Sequence, residues 1–281
     1  MSATTLAALA VLGASLLSAL YNTLMKVGED RLVVGAMAGG VAAFLAALAI
    51  PFFAPPPPAA WPCLAISVLA QTVYYFVLVE AYREGDLSLV YPVMRGTSLA
   101  VIVSVSVLGA GETLTWAKGA GLAFLFAGMV LAADPGAWRR PETRRPALYA
   151  ALTGVSVAVY LLADGIGARR SPEPFGYVAW MFFLSGLPVV TVVMFLRGRG
   201  LSRAWRRNWR LGFGSGVVMA AGYGAVVWAL SLGTFASVAA LRELTTVFTA
   251  LIARFHLGES PPPRRWIAIG LIVAGAVVIT A

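Results

Sequence analysis

Long apolar runs repeat along the whole chain, each close to 20 residues and each ended by a short stretch carrying Pro, Gly or Arg. A helix needs roughly 20 apolar residues to cross the hydrocarbon of a bilayer, and the runs predict ten such helices near 4–25, 33–53, 62–82, 87–109, 115–133, 147–167, 175–196, 211–231, 235–256 and 264–280. The first run follows no Lys or Arg, whereas Lys26 and Arg31 come after it, so it is expected to stay in the mature chain rather than leave as a signal peptide.

Composition agrees with a lipid solvent. Of 281 residues 60% are hydrophobic and 12% charged, with a mean hydropathy of +0.84, outside the balance of a soluble domain. The net charge of +9 matters less than where it falls. With ten spans, one set of loops and span ends holds sixteen of the 21 Lys and Arg, including the runs RRPETRR and RGRGLSRAWRRNWR. The other set holds only Lys118, Arg169 and Arg170. The positive-inside bias then puts the rich side in the cytoplasm and both termini in the periplasm of a bacterial-type inner membrane. The basic runs read as anchors beside anionic lipid, not as nucleic-acid contacts. Trp61, Trp116, Trp138 and Trp266, near span ends, fit the interfacial belt.

The second half echoes the first. Arg95 and Arg242 correspond at an offset of 147, as do Glu112 and Glu259, within YPVMRGTSLAVIVSVSVLGAGE and VAALRELTTVFTALIARFHLGE. Five spans per half is odd, so the second copy enters the membrane inverted. The expected fold is therefore an all-α membrane protein of ten transmembrane helices, in two inverted five-helix repeats (1–137 and 138–281) around a central cavity. Two inverted halves can open one site to either side in turn. The blander alternative is a stable bundle without a cavity.

The segments LYNTLMK, AYREGDLSLVYPVMRGTSLAVIVSVSVLGAGE and YLLADGIGARRSPEPFGYVAW resemble the drug/metabolite transporter superfamily in its EamA-type ten-helix branch, over nearly the whole chain. The resemblance implies two inverted EamA-type repeats around a substrate cavity, and usually export of amino acids or related metabolites. Members are commonly assigned cytoplasmic termini, the reverse of what the Arg distribution indicates here.

Ionisable groups deep in a membrane need a partner, a wet cavity or a role. Arg95 and Arg242 approach from opposite faces, and their planar forks suit a carboxylate or phosphate-like group. Alternatively each pairs with a nearby carboxylate, Glu243 being adjacent to Arg242, or with carbonyls freed near Pro92, and merely ties helices together. Pro92 is the candidate kink and gate. Tyr91 and Arg95, four apart, share the face expected to form the cavity wall, and Val238 and Ala239 stand where the second half would repeat Tyr91 and Pro92. Asn22 and Lys26 match Tyr160 and Asp164 at an offset of 138. Lys26 and Asp164 could hold the two ends of a zwitterion, or Lys26 could snorkel and Asp164 cap a helix. Gln71 and Tyr74, with Tyr75, share one side of the third span, and Trp180, Tyr223 and Trp228 are further aromatic candidates, although aromatic rings also serve as ordinary packing. Glycines in LGFGSG and AAGYG permit close helix approach.

No phosphate loop with Gly-Lys-Ser/Thr occurs, so no cofactor and no ATP motor are expected. Asp164, Glu80 and Glu243 are the carboxylates available for proton coupling. The lone Cys63 offers no disulfide or thiolate pair, and a single His256 without HExxH or GxSxG leaves little catalytic apparatus. The expected function is a secondary transporter for amino acids or other small carboxylate-bearing metabolites. A lipid-headgroup translocator or an intramembrane enzyme are the alternatives, and partners are a small-molecule substrate and the bilayer, with no nucleic acid.

Overall fold

The computed structural model describes residues 3–27, 31–84, 87–109, 115–132, 141–197, 201–255 and 263–280. Among them every regular element is a helix, with no strand. Lipid offers no hydrogen-bond partner to a backbone group, so each spanning segment must satisfy its N–H and C=O groups within its own helix. The apolar runs accordingly become α1 (Ala3–Val27), α2 (Arg31–Ala49), α3 (Trp61–Glu84), α4 (Leu87–Leu108), α5 (Trp116–Ala132), α6 (Arg144–Arg170), α7 (Pro174–Arg197), α8 (Leu201–Leu232), α9 (Phe235–Arg242), α10 (Leu244–Phe255) and α11 (Pro263–Thr280). Eight stretches are long and apolar enough to cross a membrane, with α9 and α10 counted together as Phe235–Ile252, and α5 is a shorter apolar helix of 17 residues.

Two elements differ from the sequence expectation. The expected ninth span, 235–256, is two helices that meet at Glu243, which sits in a turn between them. By contrast α4 runs unbroken through Pro92. Helix α8 also starts ten residues ahead of its expected span, so Trp205, Arg206, Arg207, Trp209 and Arg210 belong to its first turns. The Trp209 ring lies beneath the Arg210 guanidinium at 5.5 Å, and both tryptophans are exposed, the mix of ring and cation suited to a headgroup layer.

The helices pack in pairs that cross the chain's midpoint. The broadest contacts join α3 to α6, α1 to α8, α2 to α7 and to α8, α4 to α6, α5 to α11, and α1 to the α9–α10 pair. Without a hydrophobic drive between helices in lipid, small residues that let backbones touch become the packing device. A Cβ on Gly121 of α5 would stand 2.8 Å from the carbonyl oxygen of Gly275 on α11, so the α5–α11 contact depends on glycine at both faces. The largest buried cluster gathers Val11, Leu99, Ile102, Leu125, Leu161, Leu230 and Ile272 from six helices. A second, around Leu64, Tyr177, Met181, Phe182 and Val227, joins α3, α7 and α8. Between them lies the central cavity.

Candidate functional site

The cavity holds about 210 Å³ and is walled by α1, α2, α3, α4, α6, α7, α8 and the α9–α10 junction. Helix periodicity decides which side chains reach it. On α1 the stripe is Ser18, Tyr21 and Asn22, on α3 it is Gln71, Tyr74 and Tyr75, and on α4 it is Tyr91, Met94 and Arg95, each spaced at i, i+3 and i+4 as residues on one helix face must be. Tyr160 comes from α6, Phe182, Ser185 and Val189 from α7, Met219 and Tyr223 from α8, and Arg242 and Thr245 from the junction.

Six tyrosines line this space: Tyr21, Tyr74, Tyr75, Tyr91, Tyr160 and Tyr223. Several form a chain of edge-to-face contacts. Tyr75 meets Tyr74 at 5.3 Å between ring centroids, Tyr74 meets Tyr160 at 6.0 Å, Tyr160 meets Tyr223 at 5.9 Å, and Phe182 meets Tyr223 at 6.1 Å. Such pairs present ring hydrogens to ring faces, the arrangement favoured by the aromatic quadrupole. The Arg242 guanidinium carbon lies 5.7 Å from the Tyr223 centroid, within cation–π range.

The two intramembrane arginines are not equivalent. Arg95 is committed to Glu243: its Nη2 approaches Oε1 at 2.7 Å and its Nε donates to Oε2 at 3.1 Å. Side-chain exposures of 13% and 5% make this a largely buried, two-pronged ion pair. Arg95 Nη2 also donates to the carbonyl of Arg242 at 3.3 Å, and Ser15 Oγ donates to the carbonyl of Leu241 at 3.2 Å. Both carbonyls belong to the helix end that the break exposes, where intrahelical donors run out. The break is thus held by side chains of α1 and α4, and the guanidinium of Arg242 is left facing the cavity over Tyr223.

Asp164 lies behind the wall rather than on it. Its carboxylate is 0% exposed and accepts from the hydroxyls of Tyr177 at 3.1 Å and Tyr223 at 2.6 Å. Tyr223 therefore touches the cavity with its ring and Asp164 with its hydroxyl. Near the far end of α6, Arg169 Nε and Nη2 donate to the carbonyls of Leu230 and Gly233 at 2.9 and 2.6 Å, capping the end of α8 just before α9 begins.

Of the ten side chains expected to contact substrate, Arg95, Arg242, Tyr91, Asn22, Tyr74, Gln71 and Tyr160 line the cavity. Asp164 sits one residue layer back. Trp180 packs edge-on against Trp61 at 5.3 Å and Phe183 at 6.3 Å and is not on the cavity wall. The side chain of Lys26 falls outside the described residues. Glu80 is 41% exposed and faces Arg83 at 3.7 Å, apart from the cavity, while Glu243 is taken by Arg95. Of Glu112, Glu259, Trp138 and His256 nothing is described either. Sequence reasoning passed over Ser18, Tyr21, Phe182, Ser185 and Thr245. Tyr21 and Ser18 were within reach of it, since they extend the face of Asn22 by one turn. Among the described residues no three His, Cys, Asp or Glu side chains come together to hold a metal ion.

Residues 144–281, beginning at the first residue of α6, match the model of the EamA-like transporter family. A solved structure described in words only as "Crystal structure of protein" superposes with a TM-score of 0.74 at 22% identity, covering 98% of this chain and 95% of that chain. That likeness is one of fold. No curated protein matches.

Proposed function

With residues 144–281 belonging to the EamA-like transporter family, part of the drug/metabolite transporter superfamily, this chain is a multi-pass membrane protein of the transporter type, and we propose that it is a secondary transporter of small carboxylate-bearing metabolites such as amino acids. The observation that carries the reading is the cavity itself, with Arg242 over Tyr223 on its wall. A half-buried guanidinium that faces the cavity and packs over a ring binds a carboxylate by paired charge-assisted hydrogen bonds. Hydroxyls and amides of Asn22, Gln71 and the tyrosines supply partners for an amino group or other polar parts, and the rings bury the remainder. Arg95, neutralised by Glu243, serves in this reading to hold the broken span in place.

The repeats are 1–137 and 138–281, inverted with respect to each other. Helix packing supports this assignment. If α1–α5 exchange with α6, α7, α8, α9–α10 and α11 in that order, the α3–α6 contact becomes α8–α1, the α4–α6 contact becomes α9–α10 with α1, and the α2–α7, α4–α9 and α5–α11 contacts map onto themselves, all of them pairs that do touch. Inverted repeats of this kind give alternating access by rocking one against the other around a fixed site. Export is the direction we assign, from a bacterial-type inner membrane with periplasmic termini. For coupling, Asp164 is the carboxylate best suited, because Tyr223 links it directly to the cavity.

Counterflow in proteoliposomes, with radiolabelled amino acids, sugars and organic phosphates as separate arms, tests the reading. An amino acid or another small carboxylate is expected to exchange, with Arg242→Gln lowering its uptake by at least tenfold while the protein still inserts and purifies as a single species. Exchange of sugars alone, or carboxylate exchange unchanged in Arg242→Gln, would contradict it.

A further inference from the structure

The seam between α3 and α7 is open. Along its outer edge runs a second cavity of about 370 Å³, lined by Leu64, Val68 and Thr72 of α3 facing Leu184 and Pro188 of α7, among other apolar side chains. Its one hydroxyl is already used, because Thr72 Oγ1 donates to the carbonyl of Val68 at 2.7 Å. The inner edge of the same seam is the central cavity. Gln71 precedes Thr72, Ser185 follows Leu184 and Val189 follows Pro188, and in each case the neighbour lines the polar compartment. The two compartments therefore share both walls, one polar and one apolar. The outer one faces lipid, since Leu69 on its α3 wall is 67% exposed within a spanning segment.

The opening is built by residue size. On the inverted-repeat reading, whose truth this comparison rests on, the counterpart seam is α2 against α8. There Gly212 abuts Met37 and Gly216 abuts Val41, and a Cβ on Gly216 would stand 2.8 Å from the carbonyl oxygen of Ala38. Glycines zip that seam by letting the backbones meet. Helix α3 has no glycine, and Leu64 and Val68 keep α7 at a distance. The α3–α7 seam is bridged where Trp61 meets Trp180, where Leu64 shares a buried cluster with Tyr177 and Met181, and where Tyr75 packs on the cluster of Ala36, Val189 and Val193. Pro188 has no N–H, so α7 offers the Leu184 carbonyl no intrahelical donor at the rim where the two compartments meet.

We infer that this seam is a lateral portal, and that the occupant is an amphiphilic carboxylate whose head binds at Arg242 and whose apolar tail lies along α3 and α7 toward the bilayer. The chemistry divides accordingly. The inner compartment has the cation, amides and hydroxyls that a charged head needs, and the outer one is apolar throughout, as a tail requires. The α3 face from Trp61 to Thr72 is about 16 Å long at 1.5 Å per residue, and lipid on its open side lets a tail enter without crossing water. This deepens the transport reading by naming a tailed carboxylate as the substrate class.

The test uses the full chain in nanodiscs with palmitate bearing a diazirine in its acyl chain, photoactivated and mapped by mass spectrometry. Adducts are expected to concentrate on the α3 and α7 residues of the groove and to fall at least fivefold in Arg242→Gln and in Thr72→Trp, which fills the groove. Adducts spread evenly over all lipid-facing helices, or groove adducts unchanged in either variant that folds, would overturn the portal. Counterflow of soluble carboxylates by the unaltered chain is scored separately, so the loss of transport and the loss of the portal give different results.

Discussion

At the scale of single residues, the pairing of Arg95 with Glu243 divides the labour between two arginines that look alike in the sequence. Arg95 and Arg242 were legible as intramembrane charges in one register, because an ionisable group in a span stands out against its neighbours. Which carboxylate each would use was not legible. The Glu243 carboxylate, one residue from Arg242, reaches instead across 148 positions to Arg95, and no local spacing rule sees a contact of that range. Removing one partner leaves a buried charge uncompensated, at a cost of about 3–5 kcal/mol. Glu243→Gln or Arg95→Gln alone should therefore lower the unfolding temperature in detergent clearly, and the double variant should recover part of the loss. A double variant as unstable as the sum of the two would mean that the pair is not coupled. Tyr223→Phe removes one of the hydroxyls on Asp164 while keeping the ring under Arg242. Its expected effect in counterflow is on the dependence of uptake on the proton gradient, with carboxylate affinity changed less than threefold. Equal dependence in both proteins would remove Asp164 from coupling.

At the scale of elements, the apolar runs gave most helix edges to within a few residues, the start of α8 being off by ten, since length and hydrophobicity are local properties. The break in the ninth span escaped that reasoning. Between Phe235 and Phe255 there is neither Gly nor Pro, so nothing local announces an interruption, whereas Pro92 advertises one in a helix that continues through it. The interruption is stabilised from outside, by Ser15 and Arg95 on the carbonyls of Leu241 and Arg242. A residue that satisfies freed carbonyls from another helix is what makes a broken span tolerable in lipid. The glycines of α8 were legible as devices for close approach, but not the helix they would meet. Gly216→Leu should pry α8 from α2 and destabilise the fold by about 1–3 kcal/mol or more, as overpacking does. A melting curve unchanged by that substitution would show that the α2–α8 seam has slack.

At the scale of the whole molecule, the repeated Arg and Glu register and an odd number of spans per half lead from the sequence to the proposed inverted architecture, which the exchange pattern of helix contacts supports. The cavity's tyrosine lining was only partly foreseen. Gln71, Tyr74 and Tyr91 follow from helix faces, as Tyr21 does beside Asn22, but Phe182 and Thr245 reach the same space only because α7 and the α9–α10 junction converge there, which is a property of the assembly. Orientation has its own check. In a Cys63→Ser background, a cysteine placed at position 2 should react with an impermeant maleimide from outside intact cells, and protection from it would reverse the assigned topology.

The measurement closest to the central claim asks whether the cavity is exposed to each side in turn. In the Cys63→Ser background, Thr245→Cys puts a thiol on the cavity wall, and oriented vesicles allow an impermeant thiol reagent to be applied from either face. Labelling from both faces, slowed from both by the transported carboxylate, is the result predicted for one site alternately opened. Labelling from a single face under every gradient and solute condition would contradict it.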